Sequence, residues 1–555
     1  MKSVSVHKRT RAQESSGAIE RLYITMRHLF NRGFYKPMGI SGESLRESLL
    51  MLRPEIYGSI AEEKIELQGL LYVMDRLPYG IEECRYINLT SDEGYKYSHF
   101  KPIVPEKRRR NCYRIDDEQM NIEITRGRSE IYDILTHLTF LYIESHKIMK
   151  QVLIDERGQV IRDWEKLEEA VLRKKTLSQQ DKEIALTHTA NFLGRTFEEV
   201  TEAFPKFGCK EDENRFLKII YYLGKGAIEE IIEDKQRLIT FSPVLRERLG
   251  HHIHGERWAS RIKEELHKRN WFHRPLHIIS ANMHSVMNSL FAEEALTTER
   301  KGKSTLQLFE ALSNPENAKL REKVSKKALQ NGMVYLNDES GTNIDVQLFD
   351  TMHFTPQKTT ILEAEAPILL VMDYAFGEQA YETMDELLKP FHKNGKKEFM
   401  NVVSISIMGK AGILDGGKGD IMIPTSHIFE GTADNYPFKN KLKKKQFPEN
   451  VATYSGAMIT VLGTSLQNRD ILKFFHESSW NVIGLEMEGA HYQKAIQSAS
   501  KIRGSISPKV EVRYAYYASD NPLETGSTLA SGGLGTTGVK PTYLITEKIL
   551  EQILK

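Results

Sequence analysis

Cysteine is scarce, and the three present, Cys84, Cys112 and Cys209, show no CxxC spacing. That suggests neither a disulfide framework nor a zinc site, and a reducing compartment fits. Long apolar runs are also missing: the longest, such as Pro367 to Met372, fall far short of a membrane span. The opening stretch MKSVSVHKRTRAQESS has no apolar h-region, so the expectation is a cytoplasmic protein without a membrane partner. Nor does charge of one sign prevail. With 77 Lys and Arg against 75 Asp and Glu the formal net charge is +2, and no overall basic field argues for nucleic acid. No HExxH pair and no complete GxxxxGK[ST] loop occurs, which removes the common zinc-peptidase and P-loop readings.

What is there points to two or more domains, because 555 residues are too many for one core. From Gly17 to about Asn331 apolar residues recur at helical spacing, as in SEIYDILTHLTFLYIESHKIMKQVL (129–153) and ENRFLKIIYYLGKGAIEEIIEDKQ (213–236). After that the period changes. Residues 333–354 read as two strands around a turn, and 366–391 as strand, Gly-containing turn and helix. Further strands are expected in 399–409, 419–426, 456–466, 481–487 and 510–520, with helices between several of them. The expected organisation is a mostly α-helical domain over 1–330, with no regulatory or oligomerisation role assigned, and an α/β domain over 331–555.

Polar residues cluster at the strand ends of the second half, where open α/β sheets bind ligands. VIGLEMEGAHYQKAI places Glu486 and Glu488 one Met apart as a strand gives way to a helix. A helix-opening carboxylate explains one of them, not both. YYASDNPLETG ends a strand on Asp520 after an apolar run, so desolvation there would raise the carboxyl pKa and let it donate a proton. The competing reading is an Asx turn into Asn521-Pro522. In SIMGKAGILDGGKGDIMIPTS, Gly409, Lys410, Ala411 and Gly412 read as a turn whose backbone N–H groups could approach an anion or a sugar, with Lys410 adding charge.

Together, MGKAGILDGGKGDIMIPTS, GTSL (463–466), GLEMEGAHY and YASDNPLETG, in that order, resemble the purine nucleoside phosphorylase and nucleosidase superfamily over about the last 190 residues. Ser519-Asp520-Asn521-Pro522-Leu523 followed by a Gly is most similar to the AMP nucleosidase branch. The resemblance implies a three-layer α/β sandwich of the nucleoside phosphorylase type that hydrolyses the N-glycosidic bond of a purine nucleotide or nucleoside, AMP to adenine and ribose 5-phosphate. It also implies a homo-oligomer and neither a metal nor an organic cofactor. Asp520 matches the acid that protonates the base, Glu488 the ligand of the ribose hydroxyls, and Met487 the residue packed on the sugar. Glu486 matches a supporting position, and Gly409, Lys410, Gly412 and Ser519 line the substrate. Nucleosidases of the superfamily carry a Glu shortly after the first strand to position water, and Glu378 is the match by its distance from ILLVM.

Several positions depart from the pattern. The strand Ser404-Ile405-Ser406-Ile407-Met408 lacks the Arg that holds attacking phosphate in phosphorolytic members. Lys410 replaces a small hydroxyl residue and is read either as a 5′-phosphate contact or as a surface side chain. Leu466 stands where some nucleosidases stack an aromatic on the base, which leaves Tyr436 or Phe438 for that role. The alternatives are a purine nucleoside phosphorylase and a non-catalytic nucleotide sensor.

In the N-terminal half, His251, His252, His254, His273, His277 and His284 read as core or capping residues, with His277 and His284 sharing a helical face. EKRRRNCYR (106–114) reads as a solvated loop, against an anion or regulatory nucleotide site.

Overall fold

The change from helical to strand period falls earlier than the sequence suggests. Leu276–Ser280, inside the stretch expected to be helical, is a strand buried at every residue. The structure, a computed structural model, describes residues 10–172, 177–209, 212–355, 358–361, 366–393, 395–524 and 535–555. The chain divides into one unit running to Thr125, over Glu130–Gly250 and over Ser465–Ile471, and a second over Arg126–Ser129, His251–Thr464 and Leu472–Lys555. The boundary is therefore at Gly250, not near residue 330.

The first unit is not all-helical. It holds β1 (Phe34–Tyr35), β2 (Tyr86–Thr90), β3 (Cys112–Arg114), β4 (Gln119–Glu123) and β5 (Leu238–Phe241) in one sheet of order β1-β5-β2-β4-β3. These strands are short, so no two-residue alternation develops to betray them. Helices Gly127–Val152 and Arg215–Ile232 fall where the sequence placed them. The basic run is a solvated loop only in part: Glu106, Lys107 and Arg109 are exposed, whereas Arg108 and Arg110 turn inward. Arg108 binds Asp133 in a fork at 2.9 and 2.8 Å, and buried Arg110 reaches the same carboxylate at 2.8 Å. Burial opposes ionisation of Asp133, yet Arg108 foremost holds it well below the usual carboxylate range.

The second unit contains β6 (Leu276–Ser280), β7 (Met333–Leu336), β8 (Val346–Asp350), β9 (Ile368–Met372), the hairpin β10 (Phe391–Lys393) and β11 (Lys396–Glu398), β12 (Val402–Ile413), β13 (Ile421–Phe429), β14 (Asn435–Pro437), β15 (Thr453–Thr460), β16 (Val482–Glu486) and β17 (Glu511–Asp520). All but the hairpin form one sheet of order β14-β13-β15-β16-β12-β6-β9-β8-β7, with β17 bonded to both β12 and β13. The strands β12, β17, β13, β15 and β16 thus close a ring, each bonded to the next and β16 back to β12.

Both faces of the sheet are covered, as continuous apolar strands require. Leu276, Ile278, Ile368, Leu370 and Met372 point to a core shared with helices Ile253–Lys268, Gln379–Leu388 and Gly489–Gln497. Their neighbours Ile279, Leu369 and Val371 point the other way, to helices Met283–Ala295, Thr305–Ser313 and Val539–Leu554. His277 lies on β6 and His284 on the following helix, so they share no helical face. His277 bonds Ser404 Oγ at 2.6 Å, and its pKa falls to about 4 through burial. Buried His254 lies 2.6 Å from the Ser340 carbonyl. Among the described residues no helix is long and apolar enough to cross a membrane, and no three His, Cys, Asp or Glu converge as a metal site.

Candidate active site

Two carboxylate-bearing strand ends meet on either side of one residue. Gly412 on β12 pairs with Leu485 on β16 and with Asp520 on β17. The Glu486-Met487-Glu488 corner and Asp520 thus stand at the ends of the two strands that flank β12. The Gly-Lys-Ala-Gly stretch is therefore strand, not turn: Gly409, Lys410 and Ala411 pair with Tyr516, Tyr517 and Ala518, and the ladder shifts only between Ala411 and Gly412.

The two glutamates separate by partner. Glu486, buried at the end of β16, accepts from Thr460 Oγ1 at 2.5 Å, from the Glu488 N–H at 2.5 Å and from the Gly489 N–H. It serves as the helix-opening carboxylate for Gly489–Gln497. Burial raises its pKa to about 7 despite these bonds. Glu488, also buried, takes the Gly377 N–H at 2.9 Å on Oε1 and the Met487 N–H at 3.3 Å on Oε2. Burial first, and then the Glu486 charge, push its pKa up to about 8. Met487 is half-buried beside them.

At the end of β17, buried Asp520 has one oxygen bonded and one bare. Ser519 Oγ lies 2.5 Å from Oδ1 and 3.1 Å from the Ala411 carbonyl, while Oδ2 is buried without a partner. Burial raises the Asp520 pKa, with Ser519, Lys410 and Lys418 pulling against it. The Asx turn belongs to the next residue, since Asn521 Oδ1 accepts the Leu523 N–H at 3.0 Å. Gly526, the Gly of the motif, lies outside the described residues.

Sequence reasoning missed Tyr374. Its buried hydroxyl lacks a partner, and burial, with the charges of Glu488 and Glu486 next, raises its pKa well above the usual phenol value. It explains Gly409, because a Cβ there would lie 2.6 Å from the Tyr374 hydroxyl and ring. Gly409→Ala is expected to lower stability by roughly 1–3 kcal/mol through overpacking, seen as a lower melting temperature. The next residue, Lys410, is exposed and opens with His284, Asn282, Ser285, Tyr517 and Arg321 into a cavity of about 440 Å³. Its charge is felt by both Glu488 and Asp520.

Other expectations land elsewhere. Glu378 follows β9, the fourth strand of this unit in chain order, whereas the first, β6, is followed by Ala281-Asn282-Met283-His284 without a carboxylate. Glu378 nevertheless adjoins Glu488 through its neighbour Gly377. Its Oε1 is 3.4 Å from Arg128 Nη1, and Oε2 is buried and unpartnered. Leu466 is buried in the segment that packs with the first unit. Phe438 stacks on His427 at 5.2 Å and packs on Tyr514, so it belongs to the core, while Tyr436 sits half-buried on the edge strand β14.

This is a buried carboxylate site at the strand ends of an α/β unit. The chain belongs to a family described as a family of unknown function (DUF6909), whose model matches residues 43–301 and 305–555. No curated protein matches it. Among solved structures it is similar to the Campylobacter jejuni 5′-methylthioadenosine/S-adenosyl homocysteine nucleosidase, at 12% identity over 50% of this chain and 98% of that one, with a TM-score of 0.31. The native futalosine hydrolase of Helicobacter pylori strain 26695 is similar at 12% identity over 50% and 99%, with a TM-score of 0.29. Uridine phosphorylase from Schistosoma mansoni in complex with thymine is similar at 11% identity over 52% and 90%, with a TM-score of 0.32.

Proposed function

We propose that the second unit, a three-layer sandwich of the nucleoside phosphorylase type, hydrolyses the N-glycosidic bond of a purine nucleotide, with AMP giving adenine and ribose 5-phosphate. The observation that carries this reading is that the strands bonded to β12 on either side of Gly412 end, one at buried Asp520 with a bare oxygen and the other at Glu486, two residues before buried Glu488. Cleavage sends the C1′–N electron pair into the base, so the leaving purine needs a proton on a ring nitrogen, and Asp520 supplies it. The ribosyl cation that develops is held through its hydroxyls by Glu488, with Met487 against the sugar. Water completes the reaction at C1′, and its proton passes to Glu378, whose Oε2 is unclaimed.

Water is favoured over phosphate for two reasons. Residues Ser404 to Met408 of β12 contain no Arg, and Arg is the residue whose planar fork matches phosphate oxygens. Glu378 also offers an unclaimed Oε2 that can take a proton from water, while its Oε1 already occupies the nearby Arg128. Lys410 and its cavity are assigned to the 5′-phosphate. Incubation with AMP in phosphate-free buffer is expected to release ribose 5-phosphate at the rate seen with phosphate present. Lys410→Ala should reduce kcat/KM for AMP roughly ten-fold more than for adenosine, the scale of one charge-assisted hydrogen bond. Dependence on inorganic phosphate, with ribose 1-phosphate formed from adenosine, would make the enzyme a phosphorylase and return Lys410 to the nucleophile.

A further inference from the structure

Four residues far from the motifs in sequence belong to the same unit as the site. Arg126–Ser129 groups with the α/β unit although the residues on both sides group with the other. Three of the four meet the loop between β9 and helix Gln379–Leu388, and Gly127 lies against the first turn of that helix. The Arg126 guanidinium lies over the Phe376 ring at 5.0 Å. Gly127, at φ +73°, lies where a Cβ would come within 3.5 Å of Gln379 Cα and Glu382 Oε1. Arg128 pairs with Glu378 at 3.4 Å. Ser129, buried, accepts the Glu378 N–H on Oγ at 2.8 Å.

The loop they hold in turn holds the site. Gly377 has φ +55°, and a Cβ on it would collide with the Ser129 side chain. Its N–H donates to Glu488 at 2.9 Å. In the same loop, Tyr374 covers Gly409. Ser129 and Glu488 are thus joined by two hydrogen bonds and one peptide unit, the bond from Ser129 to the Glu378 N–H and that from the Gly377 N–H to Glu488. We propose that Arg126–Ser129 is a positioning element of the active site and that Ser129 is the residue through which it aims the Gly377 N–H at Glu488; the catalytic part of this inference rests on the function proposed above. The hydroxyl accepts the Glu378 N–H, and the close approach of Ser129 to Gly377 leaves no room for a side chain there. Neither residues 331–555 nor residues 251–555 include this element.

The sign of the effect on Glu488 is fixed by chemistry. An N–H donated to a carboxylate favours the charged form, so losing a well-aimed Gly377 N–H raises the pKa of Glu488 further. If ionised Glu488 binds the ribose hydroxyls, the acid limb of kcat/KM moves to higher pH. The test is Ser129→Ala in the full chain, followed by backbone amide exchange and by the pH profile of AMP cleavage. Exchange at 374–380 is expected to quicken by about ten-fold while that of β12 stays as in wild type. The acid limb should shift upward by about half a pH unit to one unit, with kcat/KM lower by roughly three- to ten-fold below it, the scale of one lost buried hydrogen bond. Unchanged exchange at 374–380 overturns the positioning role. Lower activity with an unmoved acid limb overturns it as well, since a merely structural residue gives that result. If the wild-type chain cleaves no nucleoside or nucleotide, the proposed function falls, and the exchange measurement still decides whether Ser129 seats the loop.

Discussion

Asp520→Asn is expected to lower kcat/KM by about two to four orders of magnitude, the range associated with loss of a general acid. The substitution is nearly isosteric, and the Asn side-chain oxygen can still accept from Ser519, which now bonds Oδ1 at 2.5 Å. What disappears is the acidic proton on a carboxyl that burial holds above its ordinary pKa. The effect should shrink for substrates whose leaving group needs no protonation, such as a ribosyl p-nitrophenolate, because the acid is then idle. Equal losses on both substrates, or activity close to wild type on AMP, would remove Asp520 from the chemistry. An unchanged melting temperature should accompany the loss.

The second large effect is expected at Glu488→Gln, and it runs in opposite directions for activity and stability. Gln can still accept the Gly377 N–H but cannot carry charge toward the ribose hydroxyls, so kcat/KM should fall by about two to three orders of magnitude. Stability follows from linkage. In the folded chain Glu488 ionises near pH 8, against an ordinary value of 4.5. A carboxyl raised in this way contributes its stability fully below the unfolded pKa, and that contribution is lost as pH rises through about 8. The Gln variant escapes the loss. Its melting temperature should therefore exceed that of wild type by a few degrees at pH 9 and match it near pH 5. Activity retained in the variant would dismiss Glu488 as a transition-state contact; a melting temperature below wild type at pH 9 would contradict its burial as a neutral acid.

How much of this was readable beforehand depended on the length of the signals. Runs such as NVIGLEM and VEVRYAYYASD are long enough, and bounded clearly enough, to announce β16 and β17. Asp520 and Glu486 stood out because each ends such a run, and Glu488 because it follows two residues on. Leu276 to Ile279 gives only three apolar residues, interrupted by His277, too few to set a period, so β6 and the true start of the unit were lost. The Gly-Lys-Ala-Gly stretch was misread because glycine usually marks a turn; here Gly409 is small to admit Tyr374, a packing reason that no local pattern carries. Tyr374 and Ser129 sit in unremarkable sequence and gain their places only through tertiary contact. Arg110 shows the same blindness in the other unit, since a run of arginines reads as solvated until an Asp133 is found beneath it.

The closed ring of strands also constrains how the chain can be made. During synthesis β12, β13, β15 and β16 leave the ribosome before β17, which among the described residues is the one strand that bonds both β12 and β13. Until it arrives, β12 lacks its partner from Ser404 to Gly412 and β13 lacks one at Ile421 and Met422, the kind of open edge that recruits foreign strands into aggregates. Closing those edges and delivering Asp520 are a single event, because Asp520 is the last residue of β17. An unfinished chain is thus both exposed and without the proposed acid, and completion removes the hazard in the step that brings Asp520 to its strand end.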